Sequence, residues 1–188
     1  YMGSEATMNP ADYAQYRKHN TEYLNRYADT ILAVSDRVRS IMTGHGVAPE
    51  RIRTSYIGTR FAESETGRSA ATETTPFTIA YLGYEREEKG FFFLIDSLSK
   101  LPEAVSGKID VVLAVADLHE EHLFPRLNRF NGVTIHKGYT HDNLPEILSN
   151  VNLGIVPVLW EDNLPQVAIE MVALGVPVLC SDLGGASE

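Results

Sequence analysis

The residues with the clearest chemical potential lie in short runs that each follow an apolar segment. The first run is Gly83-Tyr84-Glu85-Arg86-Glu87-Glu88-Lys89-Gly90. A glycine at a strand end lets backbone approach a ligand with no side chain in the way. The Lys89 ammonium and helix amides near Gly90 would offer positive charge to a phosphate. The alternative is a solvated, charged βα turn, which Glu85, Glu87 and Glu88 favour by diluting the basic charge. A P-loop is excluded, because no Gly-x-x-x-x-Gly-Lys-Ser/Thr is present.

The second run is Trp160-Glu161-Asp162-Asn163-Leu164-Pro165-Gln166-Val167-Ala168-Ile169-Glu170. Asn163 with Gln166 three residues on reads as a capping box, and Pro165 suits a first helical turn. The amides of residues 164–167 would then lack intrahelical partners and could bind an anion. Val167, Met171 and Leu174 form a buried stripe at i, i+4 and i+7. Glu170 falls about 60° from that stripe at ~100° per residue, which places it at the border of the buried face. A carboxylate there needs a partner, and ribose hydroxyls are good donors for one. The alternative makes Asp162 an N-cap and Glu170 a plain flanking residue.

Further on, Gly175 fits the left-handed position that ends a helix. Gly184-Gly185 either makes a tight turn or lets a ligand close in. His136 and His141 flank Lys137-Gly138-Tyr139-Thr140 at another strand end. Without a cysteine or compact carboxylate cluster beside them they make a poor zinc site, so a turn brushing a nucleobase is the better reading. There is no Gly-x-Ser-x-Gly elbow, and Cys180 has no evident activating partner.

The elements that must position these runs alternate. A Tyr-rich helix is predicted from Ala11 to Ala28, with Tyr13, Tyr16, Tyr23 and Tyr27 on a packed face. A strand Thr30–Val34 follows, then a helix capped by Ser35 that runs to about Gly44, then a strand from Arg51 to Ile57. Residues 62–76 are polar, Ser/Thr-rich and without hydrophobic period, and read as a linker or surface loop. Beyond them, strands are predicted at Phe77–Leu82, Ile109–Ala114, Val133–His136, Leu153–Val156 and Val176–Leu179. Helices are predicted at Gly90–Lys100, Leu118–Arg129, Leu144–Ser149 and Pro165–Leu174. Short apolar strands separated by helices imply an α/β, doubly wound, Rossmann-like parallel sheet with ligands at the carboxyl ends of its strands.

Bulk properties fit that class. The chain has 188 residues, with 44% hydrophobic and 22% charged, ordinary values for a globular protein with a sizeable core. Its net charge of −9 argues against a duplex-DNA partner, though a local basic site for a small anion stays open. The single Cys180 rules out an internal disulfide framework and a Cys-rich zinc site. No apolar run approaches the ~20 residues of a membrane span. The chain is expected to be a fragment of a longer protein, because it stops where a further helix should close the layer.

Taken together, Ala28 to Glu188 resembles the C-terminal, nucleotide-sugar-binding half of GT-B retaining glycosyltransferases (family 4, glycosyl transferases group 1). The most specific match is Asp162-Asn163-Leu164-Pro165-Gln166-Val167-Ala168-Ile169-Glu170, which lies on the family's Glu-x7-Glu motif. The following Met171 to Val178 lies on its Glu-Ala-x-Ala-x-Gly-x-Pro-Val run, and Ser181 to Glu188 continues the pattern. Ala28-Asp29-Thr30-Ile31-Leu32-Ala33-Val34-Ser35 matches the family's Ala-Asp-x-Ile-x-x-x-Ser, and Gly83…Lys89-Gly90 its Gly-Arg-x-x-x-x-Lys-Gly.

The resemblance implies a division of the chain and a set of roles. Residues 1–28 would be a lead-in and helix from the interdomain region, and 29–188 a truncated donor-binding domain. Glu170 would hold the donor ribose hydroxyls and Lys89 the diphosphate, while Asp162 would contact sugar hydroxyls; these three are the candidate catalytic residues. Asn163, Leu164, Pro165 and Gln166 would surround the transferred sugar and phosphate. Gly83 and Arg86 would assist at the diphosphate, and Lys137, Gly138 and Tyr139 would lie near the base. No metal is implied and no cofactor beyond a nucleoside diphosphate sugar as donor substrate. The implied partners are that donor and the acceptor-binding N-terminal half, with no nucleic acid. Assembly of polysaccharide or glycolipid at the cytoplasmic membrane face would give the full-length protein a peripheral membrane association.

The sequence departs from the family at three places: Asp162 replaces the first motif glutamate, Tyr84 stands at the diphosphate arginine, and Ala114-Val115-Ala116-Asp117 replaces a glycine-rich turn. A non-catalytic nucleotide-sugar-binding module with a degenerate site is therefore the alternative. A receiver-like signalling domain lacks its acidic pair and phospho-acceptor here, and a GT-B-like epimerase would be separated by product analysis. The isolated chain is expected to bind donor weakly and to transfer nothing.

Overall fold

The computed structural model describes residues 9–62, 76–116, 118–119 and 123–188. The predicted linker at 62–76 falls almost wholly outside them. The chain divides into two compact units, residues 1–56 with Glu188 and residues 57–187.

The first unit carries α1 (Pro10–Tyr27), β1 (Ile31–Ala33), α2 (Asp36–Gly44) and β2 (Ile52–Thr54), with the two strands paired in parallel. The Asn9 side chain accepts from the Ala11 and Asp12 amides, while Asp12 accepts from the Asn9 amide, which closes the start of α1. Ser35 caps α2 through the Val38 amide, as its position before the helix predicts. Ala33, Val47 and Ile52 form a small core with Leu24, Ile31, Val38 and Met42 against it.

The expected packed tyrosine face is corrected. Tyr13, Tyr16, Tyr23 and Tyr27 are all exposed, with Tyr23 and Tyr27 in contact with each other. The inward side of α1 is instead the Thr21–Leu24–Asn25 side. There the Asn25 amide donates to the Gly46 carbonyl and its oxygen accepts from the Ala48 amide. Hydrogen bonds to a neighbouring turn, and not aromatic burial, fix the rotation of this helix.

The second unit is a five-stranded, all-parallel sheet in the order β5-β4-β3-β6-β7. Its strands are β3 (Phe77–Tyr84), β4 (Ile109–Ala116), β5 (Gly132–His136), β6 (Leu153–Val156) and β7 (Val178–Cys180). Its helices are α3 (Phe91–Ser99), α4 (Glu103–Ser106), α5 (Phe124–Leu127), α6 (Leu144–Ile147) and α7 (Gln166–Ala173). Side chains alternate across the sheet, as the two-residue strand period requires. Ile79, Tyr81, Val111, Leu113 and Val115 face Phe91, Leu94, Ile95 and Leu98 of α3 and Leu127 of α5. Ala80, Leu82, Ala114 and Val156 face Leu144 and Ile147 of α6 and Met171 of α7. Both faces are thus buried, which is why these strands read as continuous apolar runs.

Several limits differ from the sequence reading. β3 and β4 each run two residues further, because their ladder continues to the Tyr84–Ala116 pair. The long helix expected at Leu118–Arg129 is a single turn, Phe124–Leu127, among the described residues. α6 is also one turn. β7 begins only at Val178, since Pro177 brings no amide to a ladder. Gly175 has φ +76 and ends α7 as expected.

Candidate functional site

The sheet grows outward from β3 through β4 to β5, then returns to place β6 on the other side of β3. This reversal opens a crevice at the carboxyl ends of β3 and β6, where parallel sheets receive ligands. Two adjoining hollows lie there and share Gly83, Tyr84, Tyr139, Gln166 and Val167, so they form one cleft.

At one end stands Glu170 with His141. α7 comes close to the sheet because Met171 packs over Gly154, where a Cβ would lie 2.2 Å from the sulfur. That approach carries Glu170 deeper than the border position expected for it, to 3% exposure. His141 Nε2 lies 3.1 Å from Glu170 Oε1, and Gln166 donates to the same oxygen at 3.2 Å. Both contacts fall on Oε1, and Glu170 lines the cleft. Tyr139 lines the wall beside it. Burial, then the Glu170 charge and Tyr84, push the Tyr139 phenol up to about 12, so it is neutral at ordinary pH.

At the other end stand Lys89, Asp162 and Trp160. The Lys89 ammonium lies 2.7 Å from Asp162 Oδ2 and 5.0 Å from the centre of the Trp160 ring. The Trp160 indole also donates to Asp162 Oδ2, at 3.1 Å. Asp162 itself is only 7% exposed.

Two glycines build this end. Gly90, at φ +72, starts α3 against the Pro157 carbonyl, and a Cβ there would sit 1.7 Å from that oxygen. Gly184, at φ +61, would place a Cβ 2.0 Å from the Asp162 carbonyl oxygen, to which the Gly185 amide donates at 2.7 Å. The group that closes on Gly184-Gly185 is therefore the backbone of Asp162. The Gly184 amide also donates to the Glu161 carboxylate at 3.1 Å.

The structure brings Gly83, Lys89, Gly138, Tyr139, Asp162, Leu164, Pro165, Gln166 and Glu170 to the cleft. Arg86, Lys137 and Asn163 are exposed and line neither hollow. Arg86 lies over the Tyr84 ring at 5.4 Å and pairs with Glu88 at 3.7 Å.

The capping box expected from Asn163 and Gln166 is corrected. α7 starts at Gln166 with Pro165 as its N-cap and no side-chain cap, and the Gln166 amide group turns to Glu170 instead. His136 lines a separate polar hollow with Asp110 and Thr134. Among the described residues no group of three or more His, Cys, Asp or Glu side chains is placed to hold a metal. No helix among them is long and apolar enough to cross a membrane.

Sequence reasoning missed the contact roles of Trp160 and His141. Trp160 directly precedes an acidic pair, which hinted at a loop function, but nothing local indicated that its ring meets Lys89.

Comparisons extend this picture. Residues 63–188 match the model of a family described as Glycosyl transferases group 1. No curated protein matches the chain by sequence. Among solved structures, HepE of Anabaena, determined with UDP and glucose, superposes with a TM-score of 0.70 at 18% identity over 93% of this chain and 50% of its own. The sucrose-phosphate synthase of Thermosynechococcus elongatus gives 0.69 at 20% identity, over 98% of this chain and 47% of its own. A UDP-forming α,α-trehalose-phosphate synthase of Burkholderia vietnamiensis gives 0.66 at 13%, over 96% and 53%. The chain thus spans about half the length of these structures.

Proposed function

Since the chain belongs to the glycosyl transferases group 1 family, we propose that it is the donor-binding half of a retaining glycosyltransferase, with the cleft of residues 57–187 taking a nucleoside diphosphate sugar. The observation that carries this reading is the buried Glu170 lining a cleft at a sheet switch point, with the Lys89 ammonium at the cleft's other end. HepE, a structural neighbour determined with UDP-glucose, supports the same donor class.

In the reaction, the bond from the sugar's anomeric carbon to the diphosphate oxygen breaks, and an acceptor hydroxyl oxygen forms the new bond and passes its proton to the released diphosphate. Negative charge grows on the leaving diphosphate. Lys89 and the uncapped amides opening α7 would stabilise it without reorganisation, the usual source of large rate gains. Glu170 Oε2 would accept from the ribose hydroxyls, with Gly138 and Tyr139 beside the base. Asp162, Leu164, Pro165 and Gln166 would meet the sugar, while Gly83 leaves room for the diphosphate. Arg86 would reach the diphosphate only by leaving Glu88. Transfer needs an acceptor-binding half, so this chain alone should bind donor and transfer nothing. The full-length protein would work at the cytoplasmic membrane face.

Titration calorimetry of the chain with UDP, GDP, ADP and their sugar conjugates tests the proposal. One nucleotide should bind, and both Glu170→Ala and Lys89→Ala should weaken it by more than about 1 kcal/mol, the scale of one charge-assisted contact. Binding that neither substitution affects would refute it. Tyr84 favours a second reading, a non-catalytic binding module, because a cationic contact is missing where the family has arginine. Tyr84→Arg should raise donor affinity in such a remnant and leave it unchanged in a site served by Arg86.

A further inference from the structure

We infer that Asp162 and Trp160 hold the Lys89 ammonium as an internal substitute for the diphosphate, and that its handover makes the cleft prefer a nucleoside diphosphate sugar to the bare nucleoside diphosphate. This rests on the donor site proposed above and adds a coupling between its two halves. The ammonium is held from two sides, by the Asp162 carboxylate at 2.7 Å and the face of the Trp160 ring. Lys89 and Asp162 are the only base and acid, tyrosines aside, among the described residues that line that hollow. A diphosphate that takes up Lys89 therefore takes it from Asp162.

The consequence follows from burial. The Asp162 side chain is one-tenth exposed, against about one-third for Lys89. The ammonium can turn to an incoming ligand, but the carboxylate cannot turn to water. Stripped of Lys89, its Oδ2 keeps the indole N–H of Trp160. It also faces a new anion in a site of reduced dielectric, an arrangement that opposes binding. A sugar hydroxyl from the same ligand restores a donor to Asp162 at the moment the ammonium leaves. A bare nucleoside diphosphate brings no such group.

The test titrates the whole chain, as wild type, Asp162→Asn and Trp160→Phe, with inorganic pyrophosphate, UDP and UDP-glucose, GDP and GDP-mannose, and ADP and ADP-glucose. Thermal unfolding checks that each variant is folded. Wild type should bind the sugar conjugate of its preferred base about tenfold more tightly than the bare diphosphate, the worth of one charge-assisted contact. Asp162→Asn should bind pyrophosphate and the bare diphosphate about tenfold more tightly than wild type, so that the preference falls towards one. Trp160→Phe keeps an aromatic face but removes the indole donor from Asp162, so it should keep the preference and widen it.

An Asp162→Asn chain that binds the bare diphosphate no better than wild type overturns the inference while leaving the donor site intact. Equal tightening of both ligands overturns the coupling. Failure of wild type and variant alike to bind any of these probes overturns the donor site, and the inference with it.

Discussion

The two ends of the cleft each hold a buried carboxylate, and they treat it in opposite ways. Glu170 is steadied on one oxygen by His141 and Gln166, so its second oxygen is ready for a ligand without any bond being broken. Asp162 is joined to Lys89, so neither partner is ready until the pair separates. One end is preorganised and the other is self-occupied. The cleft's nucleoside end should bind at little reorganisation cost, whereas its diphosphate end should discriminate among ligands by what they give back to Asp162.

The largest expected effect breaks the self-occupied end alone. Gly184→Ala pushes a Cβ into the Asp162 carbonyl from a left-handed backbone and should cost about 3 kcal/mol in chemical denaturation, with loss of diphosphate binding. Lys89→Met comes next. It leaves Asp162 without its cation and should cost about 2 kcal/mol, less than a deeply buried pair because a third of Lys89 meets water. The double variant with Asp162→Asn should recover most of that loss in a double-mutant cycle.

At the preorganised end, Glu170→Gln should weaken nucleotide binding by about 2 kcal/mol, measured by calorimetry. His141→Ala should cost only about 0.5–1 kcal/mol and should narrow the preference for a ribonucleotide over its 2′-deoxy form. Equal weakening of both forms would mean that His141 does not orient the carboxylate.

The mildest effect is one of pH. The raised pKa of Tyr139 means the folded chain keeps a proton that the unfolded chain releases above about 10. That contribution is intact below pH 10 and is lost as pH rises towards about 12. Tyr81 shifts the same way through its burial. Denaturation at pH 9 and pH 11 should therefore show a smaller alkaline loss for Tyr139→Phe than for wild type.

How far this was legible in the sequence depended on whether the cause was local. β6 matches its predicted limits, because the apolar run Leu153–Val156 is bounded by Asn152 and by Pro157, which carries no amide for a ladder. Lys89, Gly83 and Glu170 were legible as residues at strand ends or on a helix facing a sheet. The capping box at Asn163 was not, since a side-chain partner four residues along α7 drew Gln166 away. Nor were Trp160 on Lys89 or His141 on Glu170. Those contacts join residues of different crossovers, and no periodicity encodes which side chain meets which. The tyrosines of α1 misled for a related reason, because helical spacing says that residues share a face and not that anything covers it.

The central claim is that the switch-point cleft is where the nucleoside diphosphate sugar binds. Its most direct test follows the backbone amide resonances of the chain as the tightest-binding nucleotide sugar is added. The account predicts shifts concentrated at Gly83, Lys89, Gly138, Tyr139 and Gln166. Shifts centred instead on Asp110, Thr134 and His136, which line the separate polar hollow, would contradict it.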